Sequence, residues 1–337
     1  MCLSNNRDQN RPVTFDDTIL LSAEHVPAGN ADDSYEGVEH VLGYFNRVSV
    51  AGSPADEASP VKRRSGSRSF GWGQSAASPK KAASAKPRGN AMLLAVPAVP
   101  GTITADSLVP VSSFPNFMKD FKRAVVPPAP KSRGGLRRGR TLGSDSNSEP
   151  VVISGFDSDT YDVVIARNAK DIKKVIGKVS EAKRPAINTE LYAELDKWCA
   201  GWTFLLFCFT EDENSKAGCA VVKYEPLRPD LLYAPGLDGH TGKIELGDVE
   251  INHTLIFSSN RMAAGKGKKV SFTDPGLRAA HPYFHDRVIG GVFANQMVPQ
   301  GDFVCAVEDV RNGEFHCKRE LPPGAPAKLQ ARDEYYL

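Results

Sequence analysis

The chain has 337 residues, of which 41% are hydrophobic, with 24 Pro, 29 Gly and a formal net charge of +2. That hydrophobic share is slightly low for a wholly globular chain, and no apolar run approaches the roughly 18–20 residues of a membrane-spanning helix. The small net charge hides a division: residues 1–60 carry 3 Lys/Arg against 10 Asp/Glu, whereas residues 61–140 carry 16 against 2.

Such a layout reads as segments with separate electrostatic roles rather than one uniform unit. The start, Met1 to Arg7, lacks the apolar stretch of a signal peptide. Six Cys without a CxxC pair read as reduced thiols in a core. The expectation is an intracellular protein, cytoplasmic or nuclear, with no membrane association and no cofactor.

Residues 1–50 read as an acidic, weakly ordered segment. Within it Tyr35, Val38, Val41, Leu42 and Phe45 recur at helical spacing behind Asp32, Asp33 and Ser34, which predicts a short amphipathic helical turn.

Residues 51–150 read as a disordered basic region rich in Pro, Ser and Gly, with few large apolar residues to offset chain entropy. Lys62, Arg63, Arg64, Arg68, Lys80 and Lys81 are its first cations, and Trp72 lies among them. Cations neutralise phosphates, and an exposed Trp stacks on unpaired bases. The plainer readings are a solvated linker or an import signal. Ser59-Pro60-Val61-Lys62 and Ser78-Pro79-Lys80-Lys81 have the S-P-x-K form of proline-directed kinase sites, where phosphate would cancel positive charge.

Leu93–Ile103 is apolar but broken by Pro and Gly, so it reads as an extended surface segment. Over 113–125 a short helix is predicted, with Pro115 in the first turn. Phe114, Phe117, Met118 and Phe121 fall on one face of it. That stripe either anchors in a partner's groove or packs on the chain's own core. Arg133, Arg137, Arg138 and Arg140 follow in a Gly-containing patch that resembles the RGG-type segments of RNA-associated proteins. Their planar guanidinium groups suit phosphates and bases.

A folded α+β domain is expected over residues 151–320, with two early helices and a mostly antiparallel sheet, followed by a flexible tail at 321–337. Strands are predicted at 151–153, 161–165, 202–209, 219–224, 249–257, 288–293, 303–307 and 315–318. The run at 202–209, apolar on both faces, reads as a central covered strand. Helices are predicted over 168–182, weakened by Gly177, and after Asn188.

The candidate chemistry lies between Asp238 and Asp286. His253 sits on the apolar face of its predicted strand, and His281 and His285 lie four apart, the spacing with which a helix would chelate a metal, with Asp286 as third ligand. His253 and His285 would then be the catalytic pair of a metal-assisted hydrolase. Pro282 argues against helical geometry at His281, and a strand histidine is more often a hydrogen-bonded core residue. Gly265-Lys266-Gly267-Lys268-Lys269 lacks the first Gly and the Ser/Thr of a phosphate loop, leaving a basic loop.

The leading reading is a non-enzymatic nucleic-acid-binding protein whose basic arm engages RNA, DNA or another polyanion. Viral coat and movement proteins share this layout, as an analogy of architecture. The alternatives are the hydrolase and a protein–protein adaptor that docks through the 114–121 stripe.

Overall fold

The computed structural model describes residues 3–4, 13–27, 35, 37–50, 89–126, 150–210, 219–237, 243–244, 246–326 and 335–336. Among these residues three sheets carry the fold. The first is antiparallel and runs β1 (Leu3–Ser4), β4 (Gly89–Val96), β7 (Thr203–Thr210), β6 (Tyr161–Ala166), β5 (Val151–Gly155). The second runs β11 (Lys268–Lys269), β12 (Arg287–Pro299), β10 (Asp248–Ser259), β2 (Val13–His25), β3 (Glu39–Val50), β8 (Cys219–Tyr224). Its pairs are antiparallel except β10 with β2, which run parallel. The third, also antiparallel, runs β15 (Tyr335–Tyr336), β14 (Cys317–Glu320), β13 (Asp302–Ala306), β9 (Leu231–Ala234).

Helices are few: α1 (Phe117–Val125), α2 (Thr189–Trp198), α3 (Val307–Asn312) and several single turns. The architecture is therefore sheet-dominated, which corrects the α+β reading with two early helices. The helix predicted over 168–182 is broken into short turns at 169–171, 172–175 and 176–178. The one predicted after Asn188 is α2, whose Leu191 N–H donates to the Asn188 side-chain oxygen at 3.1 Å, satisfying one of the free first-turn donors.

Two corrections fall in the N-terminal half. The helical turn predicted from Tyr35 to Phe45 is not formed: Val41, Leu42 and Phe45 lie in strand β3, with Leu42 and Tyr44 in one core and Val41 in another, and Tyr35 and Val38 precede the strand. Burial on both faces puts apolar residues at almost every position, and over so few residues such a run mimics a helical period. Leu93–Val96 is not a surface segment but part of β4, buried along its whole length. The Pro and Gly that suggested otherwise start only at Pro97.

The first core joins all three sheets, with Leu20, Tyr44, Leu206, Phe207, Phe257 and Phe303 among its members. The second lies on the opposite face of the six-stranded sheet. There Ile19, Leu21 and Ile256 meet Phe117, Met118 and Phe121 of α1 and Phe284 of the 281–285 turn. Strand β10 is consequently buried on both faces over residues 254–259, rather than half-buried. No described helix is long and apolar enough to cross a membrane.

Candidate polyanion-binding face and the histidine cluster

Strand β2 ends in Glu24 and His25, and its period of two sends these neighbours to opposite faces of the sheet. Glu24 has no exposed surface and accepts from Ser259 Oγ at 2.5 Å and from Arg311 Nη2 and Nε at 2.5 and 3.2 Å. His25 goes to the other side, where its ring stacks on His285 at 6.1 Å and meets the Tyr283 ring edge-on at 6.2 Å. His285 Nδ1 lies 3.1 Å from Ser258 Oγ, and His281 Nδ1 lies 2.8 Å from the Tyr283 hydroxyl.

Burial lowers the pKa of His25, His281 and His285, that of His285 to about 3. These rings are thus neutral near pH 7, poor proton acceptors, and two of their buried nitrogens, His25 Nδ1 and His285 Nε2, have no partner.

The predicted hydrolase centre is not assembled by this geometry. His281 ends the helical turn Leu277–Ala280, and the chain to His285 is a non-helical turn, so the two rings do not share a helix face. Asp286 is half-exposed and pairs with Arg278 at 3.1 Å. His253 lies on the other face of β10 from Ser258 and packs against the Phe303 ring at 5.8 Å. Among the described residues the ligand-type trio that does come together is Asp309 of α3 with Glu314 and His316 just after it, the last two exposed. No sequence signal marks that trio, because it arises from the α3 turn. Asp238 lies outside the described residues.

The aromatic stripe is consumed within the chain. Phe117, Met118 and Phe121 are buried, with Phe117 and Phe121 against Phe284 (4.9 and 6.0 Å) and Phe121 against Phe272 (5.2 Å). Phe114 is partly buried, edge-on to His281 at 5.4 Å. Asp120, also buried, accepts from Thr273 N (2.7 Å) and Thr273 Oγ1 (2.8 Å) and pairs with Arg123.

With its inner face fixed, α1 turns Lys119 and Arg123 outward and leaves Lys122 half-buried. At its end Lys268 Nζ donates to the Val125 carbonyl at 3.1 Å, which brings the exposed pair Lys268 and Lys269 of β11 beside the helix. The basic loop noted in the sequence thus reaches the last turn of α1, which carries Lys122 and Arg123, whereas Lys119 Nζ lies 5.9 Å from the ring of Phe45 in β3. Residues 127–149, with Arg133, Arg137, Arg138 and Arg140, follow Val126 in the sequence. Those four, together with Lys62, Arg63, Arg64, Arg68, Trp72, Lys80 and Lys81, lie outside the described residues. Sequence reasoning missed Lys119 and Lys122 as binding candidates, and only their alternation with the apolar stripe hinted at them.

No family model matches the sequence, and no curated protein matches it. Among solved structures, the crystal structure of baculovirus P35 is similar with a TM-score of 0.35 and 8% identity over 92% of each chain. A mutated baculovirus P35 after caspase cleavage gives 0.31 and 10%, covering 72% of this chain and 65% of that one. A chain of the crystal structure of the caspase-8/P35 complex gives 0.32 and 9%, covering 72% of this chain and 63% of that one. At these scores and identities, neither fold membership nor function passes from those proteins to this chain.

Proposed function

We propose that this protein binds nucleic acid, single-stranded RNA foremost, through a basic face extended by its Arg- and Lys-rich segments. The observation that supports the reading is the junction at Val125, where Lys268 donates to the carbonyl at the end of α1 and so brings Lys268 and Lys269 beside the last turn of that helix, which carries Lys122 and Arg123. Fixed lysines supply phosphate contacts that set position, while Arg133 to Arg140 and Trp72 supply guanidinium and ring surfaces for unpaired bases. Among the described residues Lys268 and Lys269 have no carboxylate partner, so their charge is available to a polyanion.

Fluorescence anisotropy with a labelled single-stranded RNA tests the reading on the full chain. Replacing Arg133, Arg137, Arg138 and Arg140 with Gln is expected to weaken binding at least about tenfold at low salt, in line with four lost phosphate contacts. Unchanged affinity, or no binding by the unaltered protein at low salt, removes it.

A further inference from the structure

We propose that Cys305 and Cys317 are an oxidation site, a thiol pair that closes into a reversible intrachain disulfide by exchange with a small disulfide such as oxidised glutathione. The two residues face each other across β13 and β14, at one end of that antiparallel register. Directly opposite residues of an antiparallel pair lie on one face of the sheet, with Cα atoms about 4.5–5.5 Å apart. A disulfide needs about 4.4–6.8 Å between Cα atoms, so the backbone already stands within bridging range. Both thiols are free, both side chains are buried, and both belong to the core that joins the three sheets.

No other two described cysteines stand this way. Cys208 lies opposite Ala91 and Asp162, Cys219 lies opposite Phe45, and Cys199 follows α2. The Cys317 thiol donates to the Lys318 carbonyl at 3.8 Å, a weak sulfur contact that is cheap to give up.

Burial sets the rate of closure. It pushes the Cys305 thiol up to about 12, and burial followed by the charge of Cys305 pushes the Cys317 thiol up as well. The native pair is therefore protonated near pH 7 and reacts slowly. Cys317 is the first residue of β14 and comes directly after the exposed Glu314 and His316, so fraying at this end bares it while the rest of the sheet holds. Its thiolate then attacks one sulfur of oxidised glutathione and breaks that S–S bond, releasing a glutathione thiolate that takes up a proton. Cys305 gives up its own proton, attacks the Cys317 sulfur of the mixed disulfide and releases the second glutathione, which takes that proton. Two cysteine thiols are oxidised, and one glutathione disulfide is reduced to two thiols. The loop closed in this way contains α3, where Arg311 holds Glu24 of β2 and accepts from the Ala263 N–H at 2.7 Å through its carbonyl.

The test is peptide mapping by mass spectrometry of the full native chain after incubation with oxidised glutathione. Free thiols are alkylated, and trypsin cuts at Arg311, between the two cysteines. The expected product is peptide 288–311 joined to peptide 312–318, with the other four of the six cysteines alkylated. In urea the oxidised chain should have an unfolding constant at least about tenfold smaller than the reduced chain, a difference that dithiothreitol abolishes. Cys317→Ala should show neither the joined peptide nor the urea difference, and the mapping of the unaltered chain stands whether or not that variant folds. Recovery of Cys305 and Cys317 as alkylated thiols or lasting glutathione adducts, bonding of either to a different cysteine, or an oxidised chain no more stable than the reduced one overturns the proposal.

Discussion

Glu24 and Arg311 form an ion pair in which the carboxylate is wholly buried and the guanidinium is only 11% exposed. Removing one member leaves an uncompensated buried charge, so Arg311→Met is expected to cost about 3–5 kcal/mol in urea unfolding. Replacing both with leucine should recover part of that loss, because the desolvation penalty goes with the charges. The histidines act through pH. Burial lowers the pKa of His40 to about 4 and that of His285 to about 3. The unfolded chain, with histidines near 6.5, therefore binds more protons than the native state below that pH. The stability these neutral rings contribute is full above pH 6.5 and lost as pH falls toward 4, on the order of 3 kcal/mol for His40 alone. Urea midpoints measured from pH 7 to pH 4 should fall accordingly, and His40→Leu should flatten the curve.

At the level of elements, α1 shows why an amphipathic stripe admits two readings. Phe121 has no exposed surface and packs between Phe272 and Phe284. Phe121→Ala is expected to destabilise the fold by about 3–5 kcal/mol, read from thermal or urea unfolding. An adaptor helix would instead lose partner capture at constant stability. The β10–β12 pairing depends on Gly290, whose φ is +159° and whose Cβ would lie 2.1 Å from the Leu255 carbonyl oxygen. Gly290→Ala should therefore destabilise more than a surface substitution, by over 1 kcal/mol in the same measurement.

Much of the second half was legible because its signals are local. The run before Phe209 gave β7, Cys219–Tyr224 gave β8 at its observed limits, and the Asn188 cap gave the start of α2. Strands β2, β3 and β4 were not legible, because their acidic or Ser/Gly-rich flanks outweigh short apolar runs that only distant partners such as β10 and β7 complete. The histidine site failed for a similar reason. His253 and His285 are close in sequence, but alternation along β10 puts His253 and the Ser258 that holds His285 on opposite faces.

The whole molecule joins a sheet-built body to a group of cations at the end of α1. The basic side of α1 and the edge strand β11 come from segments about 140 residues apart, and only the fold places Lys268 beside Val125. This is the feature that composition alone could not supply. The central claim is electrostatic, so its most direct measurement is the dependence of single-stranded RNA affinity on salt. The slope of log K against log salt should be steep for the unaltered protein and shallower by about 1.4 for Lys268→Glu/Lys269→Glu, at about 0.7 for each of two phosphate contacts. Identical slopes for the two proteins, or no binding at low salt, would contradict the assignment of this face.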